Sequence, residues 1–141
     1  MKLSEAANRV IDLAGKVREY YETELRKRYP NYPLVGLDEE TVPPPPQEKE
    51  LSDFLATLSD EIIYQLMLIV HLVRGRCSVD DLGAHYESLK DTVGDPEEAA
   101  EEMMWFKASL ADELSDGLEE LREHKINVDK MLLKKVKVRK R

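Results

Sequence analysis

The 141-residue chain is 42% hydrophobic and 35% charged, carries a formal net charge of −8 and contains a single cysteine. That length and apolar content support one domain with its own core, and one cysteine, Cys77, excludes an internal disulfide framework. The charge is uneven: residues 126–141, INVDKMLLKKVKVRKR, hold seven Lys or Arg against Asp129 alone, a net +6 that leaves −14 on the residues before them.

An acidic body with a basic tail implies either an anionic partner for the tail or a tail that folds onto its own acidic face. The opening residues, MKLSEAANRVID, meet charge before any apolar stretch of signal-peptide length. The most apolar stretch, residues 62–73, is interrupted by Tyr64, Gln65 and His71 and is too short to span a bilayer. The expectation is a cytoplasmic protein that does not contact membranes.

In chain order, residues 4–28 read as one long amphipathic helix. Leu3, Ala7, Val10, Ala14, Val17 and Tyr21 recur at alternating steps of four and three and share a face, with Ser4 as N-cap and Glu5 in the first turn. Pro30 and Pro33 end it. An irregular connection runs from about 30 to 50 and contains VPPPP at 42–46, a stiff polyproline spacer in this reading rather than an SH3-type ligand.

A short helix at about 47–57 buries Leu51, Phe54 and Leu55, with Leu58 at its end. Ser59 then caps a helix in which Ile62, Ile63, Leu66, Met67, Ile69, Val70 and Val73 leave almost no polar face, the pattern of a central bundle helix. Gly75 sits where a helix C-terminus needs a left-handed residue, between Arg74 and Arg76.

Ser78 and Asp81 form a capping box for the next helix, whose stripe is Val79, Leu82, Tyr86, Leu89 and Val93, stopping at Gly94. Asp95 and Pro96 open another, with Ala99, Ala100, Met103 and Phe106 inward. A second capping pair, Ser109 and Asp112, predicts a break there, followed by a helix burying Leu110, Leu114, Leu118 and Leu121. The fold class is all-α: a compact bundle of about six helices over residues 1–125, with a basic tail at 126–141.

Several residue groups invite a chemical reading. His71 on the apolar helix reads as a core-edge histidine bonded to a backbone carbonyl, since no orienting carboxylate lies near it in sequence. Cys77 follows Arg76 and precedes a helix start, a place where charge and dipole lower a thiol pKa. An enzyme built around His71, Arg74 and Cys77 is therefore a third-ranked reading. Asp81 with His85, and Glu120 with His124, have i,i+4 spacing but no obvious third ligand, so no metal or other cofactor is expected. No Gly-rich phosphate loop, Ser-nucleophile motif or small-molecule substrate site is evident.

The cluster Met103, Met104, Trp105 and Phe106 exceeds what one inward helix face can bury. Met104 and Trp105 are thus the candidate protein-interaction residues. The alternative for them is packing beneath the 30–50 connection. Lys134, Lys135, Lys137, Arg139, Lys140 and Arg141 are candidate nucleic-acid contacts. They lack interleaved aromatics, so binding there is expected to be non-specific and salt-sensitive.

The run LSDFLATLSDEIIYQLMLIVHLVRG followed by VDDL, and later LADELSDGLEEL, resembles a family of small bacterial helical domains of unknown function. Its members carry a Leu-rich helix ending in Arg-Gly, here Arg74-Gly75, and a closing Leu-x-x-Gly-Leu type segment, here residues 114–121 with Gly117-Leu118. The resemblance covers about residues 5–122. In that pattern an aromatic stands at the positions of His71 and Leu82. The resemblance implies a helical fold in a bacterial cytoplasm and no particular activity. The function expected from the whole reading is a non-enzymatic protein-interaction module that self-associates or takes a protein partner, with a nucleic-acid accessory role for the tail as the alternative.

Overall fold

The computed structural model describes residues 1–24, 27, 46–93 and 95–130. Most of the 30–50 connection, Gly94 and the six basic residues of the tail lie outside them. Among the described residues there are six α-helices and no strand, the all-α bundle expected.

Helix α1 spans Leu3–Glu19 and buries Leu3, Ala7, Val10, Ala14 and Val17, with Ala6 and Leu13 widening the stripe. Its N-cap is Lys2, not Ser4. Ser4 lies inside the first turn, where its N–H and its hydroxyl donate to the two carboxylate oxygens of Asp129 at 2.8 and 2.9 Å. A carboxylate from beyond the last helix thus meets the positive end of the first. Nor does α1 run on as one α-helix to residue 28. After Glu19 it widens into a π turn, Tyr20–Glu24, in which Tyr20 is buried and Tyr21 meets it edge-on at 5.8 Å.

Helix α2, Pro46–Thr57, buries Leu51 and Leu55. Ser59 then caps α3, Asp60–Val73, its Oγ accepting the Ile62 N–H at 3.3 Å. Nine of the fourteen residues of α3 are buried, as its nearly uniform apolarity requires. It ends in a Schellman motif: Arg76 N–H donates to the His71 carbonyl at 2.9 Å, and Gly75 sits at φ 75°. A 3₁₀ turn, Val79–Asp81, leads into α4, Leu82–Val93, with Ser78 N–H held by the Asp81 carboxylate at 2.7 Å.

Asp95 caps α5, Pro96–Trp105, accepting the Glu98 N–H at 2.8 Å. The break before α6, Lys107–Glu123, falls at Phe106 (φ −111°, ψ 32°) and not at Ser109. The Ser109 hydroxyl binds Glu113 at 2.6 Å, and Asp112 pairs with Arg18 at 2.6 Å on α1, so neither side chain is left to cap a helix.

Helix α3 is the hub, packed against α6, α4, α5 and α1, while α1 packs chiefly on α6 and α2. Helices α3 and α6 meet at Gly117. A Cβ on that residue would stand 2.3 Å from Ile69 Cγ2 and 3.2 Å from the Ile69 carbonyl oxygen. Gly117 is buried, and Leu118 beside it only partly so, which moves the inward face of α6 one position from the expected one.

Helix α6 ends in a second Schellman motif, with Ile126 N–H on the Leu121 carbonyl at 2.9 Å and Lys125 at φ 59°. The chain then folds back: Ile126 and Val128 are half-buried against the core, and the 3₁₀ turn Val128–Lys130 presents Asp129 to α1. Residues 126–130, expected to begin the tail, belong to the body. Among the described residues no single helix is long and apolar enough to cross a membrane; α2 and α3 pass only as a pair, bent by 119° at the break.

Candidate interaction groove

Three elements enclose an open groove of about 1470 Å³: α2 on one side, α5 on the other, and the first turn of α3 at its base. Leu55, Leu58, Ile63, Ala100 and Met104 supply its apolar lining, and Pro46 and Pro96, the first residues of α2 and α5, lie at its ends. Trp105 closes the lip. It is 88% exposed, the largest exposed apolar side chain among the described residues, while Met104 is half-buried in the wall behind it.

Why Trp105 points out follows from register. Ala99 and Met103 face the core from α5, so Trp105, two residues past Met103, falls on the opposite side of the helix. The helix stops there because Phe106 leaves helical geometry to lie under the guanidinium of Arg74, 4.2 Å from its ring centroid.

The rim of the groove is charged. Glu48 and Lys107 bridge it at 3.1 Å, both side chains largely buried, and the Tyr21 hydroxyl donates to Glu48 at 3.0 Å. Lys49 turns away to Asp53 at 2.7 Å. That leaves Asp60, Glu97 and Glu101 on the rim with no ion pair among the described residues, and the Asp95 carboxylate beside them on its cap. Both basic groups of the rim are thus engaged, and its remaining charge is negative.

The residues of the enzyme reading, His71, Arg74 and Cys77, lie away from the groove lining. His71 is 9% exposed, and its Nδ1 lies 2.9 Å from His85 Nε2. The partner is a second imidazole, not the backbone carbonyl expected. Burial first, then the charges of Arg76, His85 and Arg74, pushes the His71 pKa down to about 4. One ring therefore donates and the other accepts.

Arg74 reaches across to α6, where its Nη2 donates to Glu113 at 3.0 Å. Burial raises the Glu113 pKa, but hydrogen bonds from Arg74 and Ser109 outweigh it and hold the carboxyl below its ordinary value. Cys77 departs from expectation in sign: burial, then the charges of Asp81 and Glu120, push its thiol up to about 11. Arg76 and the helix start do not offset those effects, so the thiolate is scarce at neutral pH.

The two i,i+4 pairs also dissolve. Asp81 is taken up by Ser78, and His124 Nδ1 donates to the Glu120 carbonyl at 3.0 Å. Among the described residues no group of three metal-ligating side chains converges. Of the sequence-derived candidates, the structure places Met104 and Trp105 together at the groove. Lys134, Lys135, Lys137, Arg139, Lys140 and Arg141 lie outside the described residues.

Sequence reasoning missed the groove itself and the Tyr21–Glu48–Lys107 network, because these join residues far apart in the chain. The one available signal was the surplus of apolar side chains at 103–106. The chain matches no family model, and no curated protein or solved structure matches it.

Proposed function

We propose that the protein acts by binding another polypeptide in the α2–α5 groove, with Trp105 as the anchor. The observation that carries this reading is a tryptophan 88% exposed on the lip of an apolar groove. Tryptophan is among the side chains that dominate binding energy at interfaces, and this one has no packing role among the described residues. The resemblance to small bacterial helical domains is compatible with this reading and adds no activity to it.

The test compares the full chain with its Trp105→Ala variant as baits in a nuclease-treated lysate of the source cells. Because Trp105 is exposed, the variant should keep the wild-type helical signal and melting temperature. A protein retained by the wild type and lost with Trp105→Ala supports the reading. Equal retention by both baits overturns it. Material that disappears from both after nuclease treatment would instead favour the nucleic-acid role of the basic residues 134–141.

A further inference from the structure

We infer that the groove takes the basic segment 131–141 of a second copy of this chain; this rests on the binding role proposed for the groove. Charge complementarity is the first argument. The rim residues without ion pairs among the described residues, Asp60, Glu97 and Glu101, are all acidic. The body of the chain carries a net negative charge, and residues 134–141 carry six Lys or Arg with no acid. Two acidic bodies repel when they meet face to face, whereas a basic segment from one removes that repulsion at the groove of the other.

Composition is the second argument. The segment begins with Met131, Leu132 and Leu133 and interleaves Val136 and Val138 with its bases. It therefore offers apolar side chains to the lining (Leu58, Ala100, Met104) and cations to the rim. Cations also stack favourably on an exposed indole such as Trp105.

Reach alone leaves both the chain's own groove and a neighbour's open. Lys130 lies beside the N-terminus of α1, where Asp129 holds Ser4, whereas the groove begins at the other end, where Tyr21 meets Glu48. The seventeen residues of α1 between these points span about 25 Å at 1.5 Å per residue. The eleven residues 131–141, fully extended, advance about 37 Å. The mass in solution therefore separates the two arrangements. Reciprocal exchange of two segments between neighbouring bodies closes a dimer, and that is the arrangement inferred here.

The experiment is light scattering of the full chain over a wide concentration range, for three proteins: wild type, Trp105→Ala, and Lys134→Glu/Lys135→Glu/Lys137→Glu. The wild-type mass should rise from that of one chain to at least two. Either variant should weaken this association about tenfold or more. Raising the salt to about 1 M, where the Debye length falls to about 3 Å, should weaken the wild type as well. A synthetic 131–141 peptide added in excess should return wild type to the one-chain mass.

A wild type that stays at the one-chain mass overturns the inference, as does a charge-reversed variant that associates like wild type. If the chain is monomeric yet still captures a protein through Trp105, the second copy is wrong and the binding groove stands. If capture is also indifferent to Trp105, both readings fall.

Discussion

Replacing Gly117 with alanine tests the tightest contact in the fold. The new Cβ would stand 2.3 Å from Ile69 Cγ2, more than 1 Å inside the 3.4 Å at which ordinary contact begins. Ile69 is 1% exposed, and its β-branched side chain is held in one rotamer by its own helix, so it cannot swing aside. The Ile69 carbonyl oxygen, 3.2 Å away, resists a simple slide of α6 along α3.

Overpacking of this kind costs about 1–3 kcal/mol, offset by about 0.5–1 kcal/mol from removing a helix glycine. The net loss is about 1–2 kcal/mol, or a fall in melting temperature of roughly 5 °C for a chain of this size. Gly15 on α1 is the internal control, since a Cβ there meets nothing within 4 Å. Gly15→Ala should gain about 0.5–1 kcal/mol through chain entropy alone. Thermal and urea melts followed by circular dichroism read both variants. If Gly117→Ala melts at or above the wild-type temperature, the close approach of α3 and α6 is wrong.

Acid should expose the His71–His85 pair. His71 is held near pKa 4 against 6.5 for an unconstrained histidine, so below pH 6.5 the unfolded chain takes up a proton that the folded chain refuses. The stability this confers is complete above pH 6.5 and is lost progressively down to pH 4, by about 3 kcal/mol. Urea midpoints measured across that window should fall less steeply in His71→Phe, and equal slopes would refute the assignment. Asp129→Ala removes the acceptor for both Ser4 donors and should cost about 1 kcal/mol, as loss of a helix cap does. Faster hydrogen exchange in the first turn of α1 would accompany it, and unchanged exchange there would contradict the cap. Lys125→Gly should raise the melting temperature, because Lys125 occupies a left-handed backbone position that glycine adopts without strain.

Local patterns carried most of the fold into view. Ser59, Asp95 with Pro96, and Gly75 each act within a few residues of their own position, so their side-chain and backbone chemistry announces the helix ends they make. The central place of α3 was legible because a helix apolar on all sides has nowhere else to go. What escaped were contacts made across the chain. Ser4 looked like a cap until Asp129 supplied the capping oxygens from 125 residues away. Ser109 and Asp112 looked like a capping pair, but Glu113 and Arg18 compete for them successfully.

The end of α6 at Lys125 was hidden because lysine stands where the motif favours glycine. The candidate site divides in the same way. Trp105 and Met104 were visible as an apolar surplus on one helix, whereas the groove they border needs α2, packed against α5 from a distant part of the sequence. Cys77 shows how sequence neighbours mislead about electrostatics: Arg76 is adjacent in the chain, yet burial and the charges of Asp81 and Glu120 set the thiol.

Trp105 is the only tryptophan in the chain, so its fluorescence reports on the groove without labelling. The most direct measurement is acrylamide quenching of that emission as the chain concentration is raised, acrylamide being neutral and indifferent to the acidic rim. Occupation of the groove by another chain predicts strong quenching in dilute solution, progressive protection on concentration, and loss of that protection in Lys134→Glu/Lys135→Glu/Lys137→Glu. Strong quenching that persists over the whole range would mean that the tryptophan faces solvent at every concentration and that no second copy covers it.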